Sequence, residues 1–111
     1  MAIVGTKQEY RAPIQIAQAV AAHAFGLPLA AIANAEVPAG PQAFRGRQLA
    51  IYLSRSVLKR SLRGVGRAFG RTHPTVLHAC RRIEEEREDP VFDRTVEWLE
   101  MLVRRAARVA A

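Results

Sequence analysis

Phe69-Gly70-Arg71-Thr72-His73-Pro74-Thr75-Val76-Leu77-His78-Ala79-Cys80-Arg81-Arg82 is the stretch whose reading decides the fold. Gly70 reads as a turn residue, because glycine enters left-handed backbone conformations without steric cost. Thr72 is placed to cap the helix that follows, its hydroxyl accepting from a freed backbone amide. Pro74, in the first turn, gives up an N–H that has no helical partner there. From Val76 the pattern is helical to about Glu88, with Val76, Ala79, Cys80 and Ile83 on an inward face and Thr75, His78 and Arg82 on the outward one. Upstream, Ser61 can cap a short helix whose Leu62, Val65, Ala68 and Phe69 point inward. Short helix, glycine turn, second helix is the arrangement of a helix-turn-helix.

Working outward, Ile14, Ala17, Val20, Ala21 and Ala24 recur at helical spacing from Pro13 until Gly26 stops them. Pro28 opens a short second helix through about Asn34, and Glu36 to Pro41 reads as a loop. A longer helix is predicted from about Gln42 to Arg60, with Leu49, Leu53 and Val57 as one apolar stripe and Phe44, Ile51 and Leu58 as its neighbour. Asp89-Pro90 caps a final helix with the stripe Phe92, Val96, Leu99, Val103 and Ala106. Trp98, Met101 and Leu102 widen that apolar surface beyond half the circumference; core packing accounts for them, or else a dimer or partner surface does. The expected architecture is all-α, with about six helices. Residues 1–12 form a flexible N-terminal arm and residues 13–108 a single helix-turn-helix domain, a size that suits one modest core.

The charge is unevenly spread. From Pro41 to Arg82 there are ten Lys or Arg residues and no Asp or Glu, within a chain of net charge +7. Residues 83–100 reverse the sign, with Glu84, Glu85, Glu86, Glu88, Asp89, Asp93, Glu97 and Glu100 against Arg87 and Arg94. The Glu84-Glu85-Glu86 run reads as a solvated face. A basic centre beside an acidic helix implies a local face for a polyanion, not a uniformly basic coat. In a helix-turn-helix the second helix enters the major groove of duplex DNA. Arg71, Thr72, His73 and Thr75 stand at the entrance of that helix and His78 one turn further on. Arginine can fork to guanine, threonine can donate to a base or touch a thymine methyl, and histidine can donate from a ring nitrogen. Free amides at a helix start favour a phosphate.

Other chemistries find little support. The single Cys80 excludes an internal disulfide framework and fits a packing role in a reducing compartment. His73 and His78 lie five apart, the wrong interval for a metal pair on a helix, so no metal or cofactor is expected. Ser54, Ser56 and Ser61 suit helix surface and cap positions and form no hydrolytic triad, so no enzyme is expected. No apolar run approaches the ~18 residues of a membrane span, and the N-terminus has no secretory pattern. The expected place is the cytoplasm, in association with the nucleoid.

The run Ser61-Leu62, Val65-Gly66-Arg67-Ala68-Phe69-Gly70-Arg71, His73 and Thr75 to Glu85 resembles the C-terminal duplex-DNA-binding domain of the bacterial replication initiator DnaA. The likeness extends through Arg47-Gln48-Leu49-Ala50-Ile51-Tyr52-Leu53 and to Ala24-Phe25-Gly26-Leu27, over roughly residues 13–103. The resemblance implies a helix-turn-helix that recognises short duplex sites, with Arg71, His73 and Thr75 at the bases and Arg47 and Ser61-Leu62 near the DNA backbone. Where the family reads Gly-Arg-Asp-His-Thr-Thr, this chain has Gly70-Arg71-Thr72-His73-Pro74-Thr75. One residue of the preceding glycine turn is missing. The family's basic loop is replaced by Val37 to Ala43, without Lys or Arg. No Gly-rich phosphate loop is present, and 111 residues leave no room for an ATPase domain. Stand-alone modules of this kind occur as small regulators in alphaproteobacteria, some resembling the DNA-binding part of gene-transfer-agent activators.

The sequence therefore points to a sequence-specific double-stranded DNA-binding protein acting as a transcriptional regulator, an activator working with a partner protein or as a homodimer through the C-terminal helix. Arg71, Thr72, His73, Pro74, Thr75 and His78 are the expected base-side residues. Arg47, Arg55, Lys59, Arg60, Ser61, Leu62, Arg63, Arg67, Arg81 and Arg82 are the expected backbone contacts. Two alternatives remain: an accessory replication factor that occupies origin-like sites without ATPase activity, and a protein-binding adaptor working through the C-terminal helix.

Overall fold

Glycine or proline stands at several of the helix boundaries. The computed structural model describes residues 7–34 and 40–110, with side chains from residue 13 onward. These form six helices in order: α1 (Lys7–Ala24), α2 (Leu29–Ala33), α3 (Pro41–Ser56), α4 (Leu62–Phe69), α5 (His73–Glu86) and α6 (Pro90–Ala110). Among the described residues there is no strand, as the all-α expectation required. Gly26 ends α1 in the left-handed region at φ 64°. There its amide donates to the His23 carbonyl at 3.1 Å and the Leu27 amide to Ala22 at 2.9 Å, satisfying two orphan carbonyls of the last turn. Asp89 caps α6 as expected, its carboxylate accepting from the Val91 amide at 3.0 Å.

Several boundaries differ from the sequence expectation. Helix α1 begins at Lys7, so Lys7 to Ala12, expected in a loose arm, are helical and Pro13 lies inside the helix. The first six residues lie outside the described residues, as do residues 35–39, where most of the expected loop falls. Pro41 belongs to the first turn of α3. Helix α3 stops at Ser56, four residues early. The amides of Val57 and Leu58 both reach the Leu53 carbonyl, Lys59 turns into the left-handed region at φ 58°, and the Arg60 amide returns to Ser54 at 3.1 Å. A non-glycine residue held there costs roughly 1–2 kcal/mol. Ser56 Oγ and Arg60 Nε are buried at this junction without a hydrogen-bond partner among the described residues.

The core gathers around α3, which touches α1, α2, α4, α5 and α6. Gln48 to Ser54 are buried without a break, so the expected two stripes are in fact a helix enclosed on nearly all sides. Phe44, placed in one of those stripes, is 57% exposed. Ser54 is accommodated because its hydroxyl donates to the Ala50 carbonyl at 2.8 Å. Helix α5 buries Val76, Ala79, Cys80 and Ile83, the inward face predicted. Helix α4 buries Val65 and Phe69, with Leu62 and Ala68 packed beside them. Helix α6 buries Val96, Leu99 and Val103 and packs Phe92 and Leu102, whereas Ala106 is exposed.

Arg87, just past α5, ties three elements together. Its guanidinium donates to Asp93 at 2.6 Å, to the Tyr52 hydroxyl at 2.9 Å and to Glu100 at 3.1 Å. Burial works against its charged form, but Asp93, Tyr52 and Glu100 outweigh that, so its proton is held more tightly than in a free arginine. Burial also pushes the Tyr52 hydroxyl and the Cys80 thiol above their ordinary values, although Arg87 draws the tyrosine down and Arg55 the cysteine.

Two outcomes are expected. Gly66→Ala would set a methyl 2.6 Å from the Arg71 carbonyl oxygen, which is backbone and cannot swing away; urea denaturation should give a loss of about 1–3 kcal/mol. Because both raised pKa values belong to groups that are neutral when folded, their contribution is complete below the ordinary values of 9.0 and 10.0. It is lost as pH climbs through and beyond those values, so urea midpoints should fall from about pH 9 upward and stay flat from these groups below it.

Candidate nucleic-acid interface

The glycine turn between α4 and α5 fixes how the α5 entrance projects. Gly70 adopts φ 64° and ψ 40°, with its amide bonded to the Gly66 carbonyl. The Arg71 amide reaches the same carbonyl at 2.8 Å. Gly66 has no side chain to obstruct this return, so the chain after Gly70 lies directly against α4. Ser61 caps α4 as expected, accepting from the Gly64 amide at 3.0 Å.

At the α5 entrance Thr72, His73, Pro74 and Thr75 are exposed, and Arg71 is half-buried with Nη1 donating to the Gly70 carbonyl at 3.1 Å. Thr72 occupies the cap position by its backbone, but its hydroxyl makes no capping bond. It shares a 3.1 Å hydrogen bond with the Thr75 hydroxyl instead. Pro74 explains this correction in part, since it removes one of the two amides a cap side chain can reach. The first turn of α5 contains no acid, so the positive end of the helix dipole is uncompensated. His78 continues the exposed face one turn on.

The expected backbone-contacting residues separate into two groups. Lys59, Arg63, Arg67 and Arg81 are exposed, and among the described residues no carboxylate pairs with them. Others are held by the protein. Arg47 donates from Nε to the Ala31 carbonyl at 3.0 Å and from Nη2 to the Asn34 carbonyl at 2.9 Å, anchoring the end of α2. Arg55 donates to the Arg60 carbonyl at 2.9 Å and braces the α3–α4 junction. Arg60 is half-buried in that junction. Arg82 pairs with Glu86 at 3.1 Å. Arg47 and Arg71 are brought to one small cleft with Ile32, Ile51 and Phe69, while Arg55, Lys59 and Arg81 line a larger one of about 470 Å³ between α3 and α5.

Sequence reading overlooked Arg45, although it lies inside the acid-free block. Its guanidinium sits 2.6 Å from Glu86 and 5.9 Å from the centre of the Phe25 ring. Glu86 thereby holds Arg45 and Arg82 together, and its carboxylate is only 19% exposed, unlike the solvated acid expected. Glu84 and Glu85 are exposed, as expected. The Arg82–Glu86 pair has the i,i+4 spacing of a helix face and was legible in the sequence, whereas Arg45 lies 41 positions from Glu86 and left no signal.

A short helix, a left-handed glycine turn and a second helix with exposed hydroxyls and an imidazole at its entrance define a helix-turn-helix protein. The chain belongs to the bacterial DnaA protein helix-turn-helix family, whose model matches residues 13–83. It is also similar to a crystal structure of a DNA replication initiation factor, at 28% identity and a TM-score of 0.77 over 90% of this chain. The chain spans 30% of the length of that structure. The helix-turn-helix of this family is a DNA-binding module.

Arg47 and Arg63 should behave oppositely in the free protein. Arg47→Ala removes two charge-assisted bonds to carbonyls at the end of α2 and should lower stability by about 1–3 kcal/mol in thermal unfolding. Arg63→Ala removes an exposed side chain and should stay within about 0.5 kcal/mol.

Proposed function

We propose that this chain binds duplex DNA with sequence preference, through α5 in the major groove, and that it acts as a transcriptional regulator. The observation that carries the reading is the α5 entrance: Thr72, His73, Pro74 and Thr75 exposed beside Arg71, on a first turn without acids, in a member of the DnaA helix-turn-helix family. In this reading residues 13–108 work as one DNA-binding unit. Arg71, His73, Thr75 and His78 approach base edges, with Thr72 and Pro74 shaping the entrance. Lys59, Arg63, Arg67 and Arg81 grip phosphates, with the amides of Ser61-Leu62 at the start of α4. Arg47, Arg55 and Arg82 support that grip mainly by holding the elements that carry it, and Arg60 lies half-buried in the α3–α4 junction.

Thr72 and Pro74 replace an acid and a threonine of the family pattern, which favours target sites other than those of the initiator and hence a regulatory role in the nucleoid. Pro74 also leaves fewer amides at the α5 start for a phosphate. A second reading, an accessory replication factor at origin-like sites, is favoured by the likeness to a DNA replication initiation factor.

A salt titration of binding to random and genomic fragments tests the proposal. Affinity should fall steeply with salt for all fragments, while a subset retains binding. Equal affinity for every fragment would overturn sequence preference. His73→Ala or Thr75→Ala should cost about 1–3 kcal/mol on a preferred site and little on random DNA, whereas Lys59→Ala or Arg63→Ala should weaken both alike. Genome-wide occupancy concentrated at promoters supports regulation, and occupancy confined to the origin supports the replication reading.

A further inference from the structure

The outer face of α6 combines three exposed apolar side chains with arginines that pair with no carboxylate among the described residues. Val91 is 70% exposed, Trp98 56% and Val109 87%. Positions 91, 95, 98, 102, 105 and 109 advance by alternating steps of four and three, so Val91, Thr95, Trp98, Leu102, Arg105 and Val109 fall on one line along the helix, with Leu102 half-buried against the core. That spacing is the seam on which a second helix packs. The helix is 21 residues long and meets the rest of the protein mainly through α1, with a smaller contact to α3.

Charge decides what such a helix should carry. The acids Asp93 and Glu100, one heptad apart, are held by Arg87 on a different side of α6. Arg94, Met101 and Arg108, also one heptad apart, border the seam, and Arg105 lies within it. Arg94, Arg105 and Arg108 are exposed, and among the described residues no carboxylate pairs with them. We propose that this face docks an amphipathic helix of a partner protein, apolar along its seam and acidic along its flank. A second copy of this chain fits poorly: antiparallel pairing of the two seams sets the arginine flank of one copy against that of the other, and parallel pairing stacks Arg105 on itself. DNA would use the arginines but not the apolar line. A bilayer would favour a broad continuous apolar face, and this line is interrupted by Thr95 and Arg105. The proposal goes beyond DNA binding and does not depend on it.

Trp98 is the only tryptophan, so its emission reports on this face alone. The full chain is titrated with a synthetic helical peptide of about three heptads, leucine at the seam and glutamate on the flanks, and with its lysine-flanked counterpart. The expected result is a saturable blue shift with the glutamate peptide and binding weaker by at least about tenfold with the lysine peptide. This comparison needs no variant. In R94E/R105E/R108E the preference should reverse, with helicity by circular dichroism and affinity for duplex DNA unchanged. Equal binding of both peptides, or no shift with the glutamate peptide, overturns the proposal. So does a blue shift on phosphatidylserine vesicles in place of the peptide, or one that follows protein concentration with a doubling of mass. Loss of DNA affinity in the triple variant would make these arginines part of the DNA grip and would also overturn it. Failure of the wild-type chain to bind DNA would strike only the DNA reading.

Discussion

Everything else in this fold depends on the unbroken burial of Gln48 to Ser54 in α3. A helix can be enclosed in this way because its backbone donors and acceptors are satisfied internally, leaving only side chains to accommodate. Leu53 and Ala50 are fully buried, and Ser54 returns its hydroxyl to its own helix. The five other helices all touch it, and α5 packs on α3 and α4 with Val76, Ala79, Cys80 and Ile83 buried. The surface left to α5 is the one that carries Thr75 and His78.

A second constraint, smaller in area, sets the direction of α5. Gly66 admits the Arg71 carbonyl at a distance no Cβ tolerates, and Gly70 supplies the left-handed turn. Together they bring the α5 entrance against α4 and leave Thr72 to Thr75 in solvent. Pro74 and the Thr72–Thr75 hydroxyl pair then change what that entrance offers to a ligand. Fewer amides are free, and two hydroxyls are held in one place.

The arginines of the acid-free block do different jobs despite their similar position in sequence. Arg47 and Arg55 spend their donors on backbone carbonyls, and Glu86 gathers Arg45 and Arg82. The two Glu86 ion pairs add little stability individually, whereas the carbonyl bonds of Arg47 and Arg55 fix the segments next to the interface. Lys59, Arg63, Arg67 and Arg81 have no competing partner among the described residues and are the cations best placed to meet a polyanion. Membership of the DnaA helix-turn-helix family agrees with that division between holding and gripping.

The sequence by itself determined the helical class, the glycine turn, the Ser61 and Asp89 caps and both faces of α5. Each of these is a local property, set by φ preferences, cap chemistry and a period of 3.6 residues. It also carried the family likeness, in the run from Thr75 to Glu85. Only the tertiary structure decided that α3 is enclosed, that Phe44 and Trp98 are exposed, that Thr72 bonds Thr75, and which arginines are already engaged. Periodicity records one buried face, and a helix with five neighbours has no single face to record. Which arginine finds a carbonyl or a distant glutamate depends on how separate helices come together, and side-chain spacing along one helix contains no trace of that.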